Sequence, residues 1–573
     1  MPTPTPPSFD SAILSLGLVP SADSVHLGAG AVTLPPQGTV SYPDALAPAV
    51  AIWLRVLTDS FGVNLTRVLV QTKHSVAPTV QFQVASDLAA GGYQLEISPA
   101  HHHPLIEVRA ADLAGAFAAV QTLRQLAGPA AYRQARLDVE HGLELAQVTL
   151  AASPRFAWRG VLIDVARRFW PKNELLRYLD VLAAHQINVV QLHLTDDQGW
   201  RFAVDAYPLL TEVGSWRPET VVGPRTSGEY DGRPHGGFYS REDLREIAAY
   251  ARARGIEIVP EIDLPGHSMA AIAAYPWLAS DPVGDLAVWR TWGISDNIIE
   301  PSPAALDFFK TVIDQLIADM NPQYIGIGGD EVPVTNWEKR PDIVQQALDL
   351  GFTTGDGKAD VRRLSGWFLG ELARHISATG RRAVVWDDCV SPELPKDVVV
   401  TVWHPGDVAA QVLKAGYDVV LAPENVLYFD YPQSNLAAEP VHFGKFVTLD
   451  DVYAYEPEIP SKLPAGAGHV LGIQAQLWGE YLNDPAMRDY NMFPRLGAFA
   501  ELAWQRDLPT NRQPGSPANQ EFRERIAAAY LPRLAAAGVA CRPLNGPHPW
   551  QQWPGYITKE KPLYAFIKKD YVP

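Results

Sequence analysis

From about residue 153 to residue 480 the chain alternates short apolar runs with stretches of helical periodicity, and this alternation limits the fold more than any other feature of the sequence. Eight runs read as strands: 160–165, 188–194, 257–262, 324–327, 383–386, 398–403, 418–422 and 469–474. Between several of them, 173–185, 241–254, 303–320, 361–379 and 408–415 carry apolar residues at helical spacing. Apolar strands separated by helices make parallel βα units, because a parallel crossover needs a helix-length connection. Eight such units over roughly 350 residues predict an α/β fold, a closed (β/α)8 TIM barrel with insertions such as 222–237.

Residues 1–152 have a different pattern. The segments 92–97 and 105–108 alternate like paired strands, and 114–126 has helical spacing, so a small α+β domain is predicted ahead of the barrel. His101-His102-His103 between the two strands reads as an exposed turn, since consecutive side chains on a strand cannot all face one ion. The barrel is assigned 153–510, followed by a C-terminal segment, 511–573, whose 521–537 stretch reads as a helix packed on the barrel. A net charge of −17 argues against nucleic acid and anionic membrane as partners. No run approaches the ~18 apolar residues of a membrane span. Two cysteines give no disulfide framework, and the N-terminus has no signal-peptide pattern, so a cytoplasmic protein is expected, as a monomer or homodimer.

In such barrels the reactive side chains sit at the C-terminal ends of the strands. Here every strand end is polar or aromatic. They offer Asp164, Arg167 and Arg168; His193 to Trp200 with Asp196; Glu261 to His267; Asp330 and Glu331; Trp386-Asp387-Asp388; Trp403-His404; Tyr428-Phe429-Asp430; and Gln476-Leu477-Trp478-Gly479-Glu480. An acidic floor with aromatic walls suits a sugar ring. Gly328 and Gly329 free the backbone to turn Asp330 and Glu331 into one cavity, where two acids cannot both ionise cheaply. Ordinary retaining glycoside hydrolysis needs an acid and a nucleophile on opposite sides of the bond, about 5 Å apart. Adjacent carboxylates do not span that bond easily. They suit a variant in which the sugar's own 2-acetamido oxygen attacks, one acid protonates the leaving oxygen, and the other steadies the acetamido nitrogen.

The motifs named above, together with Pro260-Glu261-Ile262-Asp263-Leu264-Pro265-Gly266-His267 and Gly328-Gly329-Asp330-Glu331, resemble those of family-20 glycoside hydrolases, the β-N-acetylhexosaminidases, over about 155–505. The resemblance implies an exo-acting enzyme on N-acetylhexosamine-terminated oligosaccharides or glycoconjugates, needing no metal or cofactor. It implies Glu331 as general acid and base and Asp330 as the ionised partner of the acetamido nitrogen. Tyr428 would hold the acetamido oxygen, Trp386, Trp403 and Trp478 would wall the pocket, and Arg167, Asp430 and Glu480 would hold ring hydroxyls. His267 and Asp196 would tune Glu331 from behind. Two positions depart from the family pattern: Gly326 and Arg168 stand where histidine is usual. A lacto-N-biosidase would share these motifs but need a wider pocket, and a catalytically silent sugar-binding barrel would not need the acid.

Overall fold

The computed structural model describes residues 16–551, apart from 70–77, 100–103, 138–141, 441–444 and 461. The His101-His102-His103 turn lies outside the described residues. Eight parallel strands close into a barrel: β1 (Trp158–Asp164), β2 (Val189–His193), β3 (Glu257–Leu264), β4 (Tyr324–Gly328), β5 (Arg382–Trp386), β6 (Val399–Val402), β7 (Asp418–Leu421) and β8 (Val470–Leu477). Closure is set by β8 pairing with β1 from Gly472↔Trp158 to Leu477↔Ile163. All seven residues of β1 are buried, as expected of a strand covered on both faces. β3 and β8 run two and three residues further than their apolar runs suggest. The added residues pair with neighbours, Leu264 with Gly328 and Leu477 with Ile163, so the ladder carries polar sequence to the rim.

The helices lie where the periodicity places them: α1 (Lys172–Ala184), α2 (Arg241–Arg252), α3 (Pro303–Met320), α4 (Arg363–Ala378) and α5 (Val408–Lys414). Their ends are chemically marked. Ser240 and Asp243 form a reciprocal capping box on α2. Ser302 caps α3 by accepting from the Ala305 amide, Pro303 follows it, and Asn321 ends the helix in the left-handed region. Each serine cap contributes about 1 kcal/mol.

Residues 24–152 build a seven-stranded sheet with its own core, packed against helices Ala47–Val56 and Leu113–Leu126. Tyr93–Ile97 and Ile106–Ala110 pair antiparallel, as their alternation predicts. The two units interlock through Trp504, a barrel-side residue that is buried in the core of the first unit. The C-terminal helix is not continuous. It runs Pro517–Arg525, loosens to a π turn over Ile526–Tyr530 and resumes at Leu531–Ala536. Pro532 has no amide hydrogen to donate to the preceding turn, which accounts for the break. No helix among the described residues is long and apolar enough to cross a membrane.

Candidate active site

At the end of β4 the backbone turns through three left-handed residues: Gly328 (φ +68°), Gly329 (φ +105°) and Glu331 (φ +51°). A Cβ on Gly328 would stand 1.8 Å from Oδ1 of Asp263, and one on Gly329 2.7 Å from Sγ of Cys389, so only glycine fits either place. For Glu331 the same region costs roughly 1 kcal/mol. The result is that consecutive carboxylates face one imidazole. Nε2 of His267 lies 3.5 Å from Oε2 of Glu331 and 3.8 Å from Oδ2 of Asp330. His267 is also left-handed, at φ +50°. Two of the four left-handed non-glycine residues among the described residues are therefore this facing pair, which is where strained backbone is expected to collect.

Behind His267 the site is a charge relay in space. Nδ1 of His267 lies 3.4 Å from Oδ1 of Asp196. The other oxygen of Asp196 meets Nη2 of Arg167 at 2.8 Å and Nε2 of His193 at 2.9 Å. Burial works to raise Asp196, but Arg167 and His267 outweigh it and hold the carboxylate well below its usual range. Burial likewise works against a charged His267, and Asp196 and Asp263 overcome it, raising the imidazole well above its ordinary value. Asp197, pushed up to about 6 by burial and by Asp196, accepts the amides of Met269 and Ser295 and so fixes the loop after β3.

Burial is the largest influence on Asp330 and outweighs the attraction of His267, with Glu331 adding repulsion, so its carboxyl is pushed up to about 6.

The aromatic residues close into an arc. Ring centroids run Trp386 to Trp478 at 5.8 Å, Trp478 to Tyr428 at 6.3 Å and Tyr428 to Trp403 at 6.3 Å. Tyr428 is set by the returning chain, whose Phe429 amide donates to the Gln476 carbonyl of β8 at 2.7 Å. Trp386 is 1% exposed and belongs to the core as much as to the wall, since its indole N–H donates to Oε1 of Glu261 at 2.9 Å. The Trp403 indole donates to Oδ2 of Asp388 at 2.7 Å.

Arg167, Asp430 and Glu480 form a second buried charged group. Arg167 bonds Gln198, Asp164 and Asp196 and lies 5.1 Å from the Trp478 ring centre. Burial and Glu480 raise Asp430 well above the carboxylate range. Burial also raises Glu480, to about 7, with Arg167 opposing and Asp164 adding. Oδ1 of Asp430 and Oε2 of Glu480 are buried without a hydrogen-bond partner among the described residues.

The eleven residues singled out by sequence thus share one end of the barrel. The sequence placed Asp263, Asp388 and Glu261 at strand ends and gave them no role: Oδ1 of Asp263 accepts from Gly329 at 3.4 Å beneath the turn, and Asp388 stands behind Trp403. Glu261 takes up the space beside Gly326, where a Cβ would lie 2.7 Å from both Cβ and Cγ of Glu261. Their signal was present in the position of each acid at a strand end. Among the described residues, four groupings of acid and histidine bring ligand atoms within 4.8 Å, three of them drawn from His193, Asp196, Asp197, Asp263, His267 and Asp330. In those built on Asp196, that carboxylate already holds the Arg167 cation.

Residues 156–507 match the glycosyl hydrolase family 20 catalytic domain, and 15–148 match domain 2 of the same family. A β-hexosaminidase of Vibrio furnissii is 31% identical over 512 residues, 88% of this chain and 78% of the relative. One of Porphyromonas gingivalis is 35% identical over 68% of this chain, which spans 48% of that longer protein. Among solved structures, the exo-β-N-acetylglucosaminidase of Vibrio harveyi in complex with N-acetylglucosamine superposes with a TM-score of 0.78, at 29% identity, over 92% of this chain and 79% of that one. The N-acetyl-β-hexosaminidase of Streptomyces plicatus superposes with a TM-score of 0.74, at 27% identity, over 92% of this chain and 96% of that one.

Proposed function

The chain belongs to glycosyl hydrolase family 20, and from that premise we propose that it is an exo-acting β-N-acetylhexosaminidase. It removes N-acetylglucosamine, and N-acetylgalactosamine, from the non-reducing ends of β-glycosides with retention of configuration. The observation that carries this reading is the side-by-side placement of Asp330 and Glu331 on one imidazole, at 3.8 and 3.5 Å. Neighbours so placed do not serve as acid and nucleophile on opposite faces of one bond. The nucleophile is then the substrate's acetamido oxygen.

In the first step that oxygen bonds to the anomeric carbon, the glycosidic C–O bond breaks, and Glu331 gives its proton to the departing oxygen. Asp330, ionised, accepts a hydrogen bond from the acetamido nitrogen as positive charge spreads onto the oxazolinium ring. Tyr428 aims the acetamido oxygen, and the arc of Trp386, Trp478 and Trp403 excludes water around the methyl group. In the second step water attacks the anomeric carbon, gives its proton to Glu331, and the ring opens. His267, held by Asp196, faces both acids and steadies their charge.

Rates on aryl β-glycosides of N-acetylglucosamine, N-acetylgalactosamine and glucose test the scheme. Loss of the acetamido group removes the nucleophile, so the glucoside should react at least ~10³-fold more slowly, the scale of lost intramolecular assistance. Comparable rates on the glucoside would overturn it.

A further inference from the structure

A cavity of about 570 Å³ opens on the seam between the first unit, the barrel and the C-terminal helix. It lies at the end of the barrel away from the candidate active site. Its barrel wall is made by Asp180 and His185 at the end of α1 and by Tyr250 and Arg254 at the end of α2, and these helix ends lead into the starts of β2 and β3. The first unit supplies Arg55 from helix Ala47–Val56, and Arg124 and Gln125 from helix Leu113–Leu126. The segment Leu531–Ala536 supplies Arg533.

Six arginines and two acids line this cavity, in a chain whose net charge is −17. Arg254 is held by Asp180, and Arg177 by Asp489 at 2.9 Å. Arg55, Arg124, Arg133 and Arg533 make no ion pair among the described residues, and the second acid, Asp59, is exposed. Arg533 is the buried one of the four, at 5% exposure. Its guanidinium donates to two neutral acceptors, Oε1 of Gln125 at 2.5 Å and the Gly17 carbonyl. Burial pulls its ionisation down, and the groups that oppose are the Tyr132 and Tyr530 hydroxyls, with no carboxylate among them.

Gln125 is 4% exposed. Its Oε1 also accepts the Val19 amide at 2.9 Å, which fixes the side-chain amide and leaves Nε2 buried with no acceptor. Nε of Arg124, the preceding residue, is buried without an acceptor as well, and its guanidinium rests over the Tyr132 ring at 4.7 Å. Buried donors with no acceptor are rare in native structures. Here two adjacent ones line one cavity beside a buried cation that has no counter-ion.

We propose that this seam cavity binds a small molecule bearing an oxyanion, a phosphate ester or a carboxylate, whose oxygens accept from Gln125 and Arg124 and neutralise Arg533. Charge-assisted bonds of this kind are the strong ones. Arg55 and Arg133, both exposed, draw the anion in. The inference is independent of the sugar that the active site takes. Because the bound groups belong to the first unit and the C-terminal helix, the ligand fastens one to the other, and its effect is on stability before turnover.

Isothermal titration calorimetry and thermal melts of the full chain, in a chloride buffer, test the site with inorganic phosphate, glucose 6-phosphate, citrate and uncharged glucose. At least one of the anions should bind with Kd below about 1 mM and raise the melting temperature with its concentration, and glucose should do neither. The phosphate and carboxylate arms separate the two sources of the oxyanion, and binding of either supports the site. Arg124→Gln should weaken that binding ~10-fold or more, the scale of one charge-assisted hydrogen bond, with kcat/KM on 4-nitrophenyl N-acetyl-β-glucosaminide unchanged. Arg533→Gln should abolish it. Should Arg533→Gln fail to fold, the exposed pair Arg55→Ala and Arg133→Ala together should weaken binding and flatten its dependence on salt. No binding of any of the three anions, or binding that Arg124→Gln leaves unchanged, overturns the inference. Failure of the parent on the glycoside with anion binding intact overturns the hexosaminidase reading alone.

Discussion

The polar groups inside the barrel form two layers that follow opposite rules. In the lower layer a chain of hydrogen bonds crosses from β1 to β5. Trp158 donates to Gln474 at 3.0 Å, Gln474 to Gln191 at 2.7 Å, Gln191 to Glu261 at 2.5 Å, and Trp386 to the second oxygen of Glu261 at 2.9 Å. In the upper layer Asp263, His267, Asp330, Asp430 and Glu480 all keep buried atoms without partners. The contacts of His267 to the acid pair, 3.5 and 3.8 Å, are too long for good hydrogen bonds. Satisfied groups hold the barrel in one arrangement, and in the proposed reaction the unsatisfied ones are the groups that a substrate would meet. The layers meet at Glu261, which anchors the Trp386 wall from below.

Breaking the upper layer should cost activity and leave the fold intact. Asp330→Asn and Glu331→Gln should each lower kcat about 10²–10⁴-fold on a substrate with a poor leaving group, the range for a positioned acid–base or charge-stabilising residue. Circular dichroism and melting curves should remain those of a folded protein.

The ionisation of Asp330 gives a second measurement of the same layer. The scheme needs its carboxylate, and burial pushes its carboxyl up to about 6. kcat/KM should therefore fall as pH drops through about 6, and a profile flat to pH 4 would contradict the assignment.

Breaking the lower layer should do the reverse. Gln191→Leu leaves Gln474 and Glu261 each short of a buried partner, a loss of ~2 kcal/mol or more. The melting temperature should fall before kcat does, and a variant as stable as the parent would remove the distinction between the layers.

The smallest effect concerns stability at the upper layer. The Asp330 carboxyl sits above its unfolded value of 3.8, so protonation favours the folded state. That contribution is complete below pH 3.8 and is lost as pH rises through about 6. Asp330→Asn should then melt higher than the parent at pH 7, by on the order of 1 kcal/mol, with the gain vanishing towards pH 4.

The barrel was legible because its periodicity is local: each strand and helix declares itself within a dozen residues, and the rim rule then gathers the acids and aromatics. Asp330, Glu331 and His267 were readable for the same reason, since Gly328-Gly329 and Pro265-Gly266 mark their turns. What the sequence hid is everything set by closure of the ring. Gln191 and Gln474 are 283 residues apart and meet only because β8 returns to β1, whose other neighbour is β2. Glu261 fills the space beside Gly326 for a reason visible only across two strands. The ionisation of Asp330 turns on how deeply the turn is buried, which adjacent residue names do not reveal. Pro532 stands in the sequence, but the helical spacing on both sides of it read as one helix over 521–537, and the break shows only in the structure.

The central claim is that two adjacent carboxylates do different jobs. A series of aryl N-acetyl-β-glucosaminides with leaving groups from strongly to weakly acidic tests it most directly, run on Glu331→Gln and Asp330→Asn. In kcat/KM, which reports the step that expels the leaving group, Glu331→Gln should lose about tenfold or less on the most acidic leaving group and ~10³-fold or more on the least acidic, because only the latter needs a proton. Asp330→Asn should lose a similar factor across the whole series. The same leaving-group dependence in both variants would contradict the division of labour between Asp330 and Glu331.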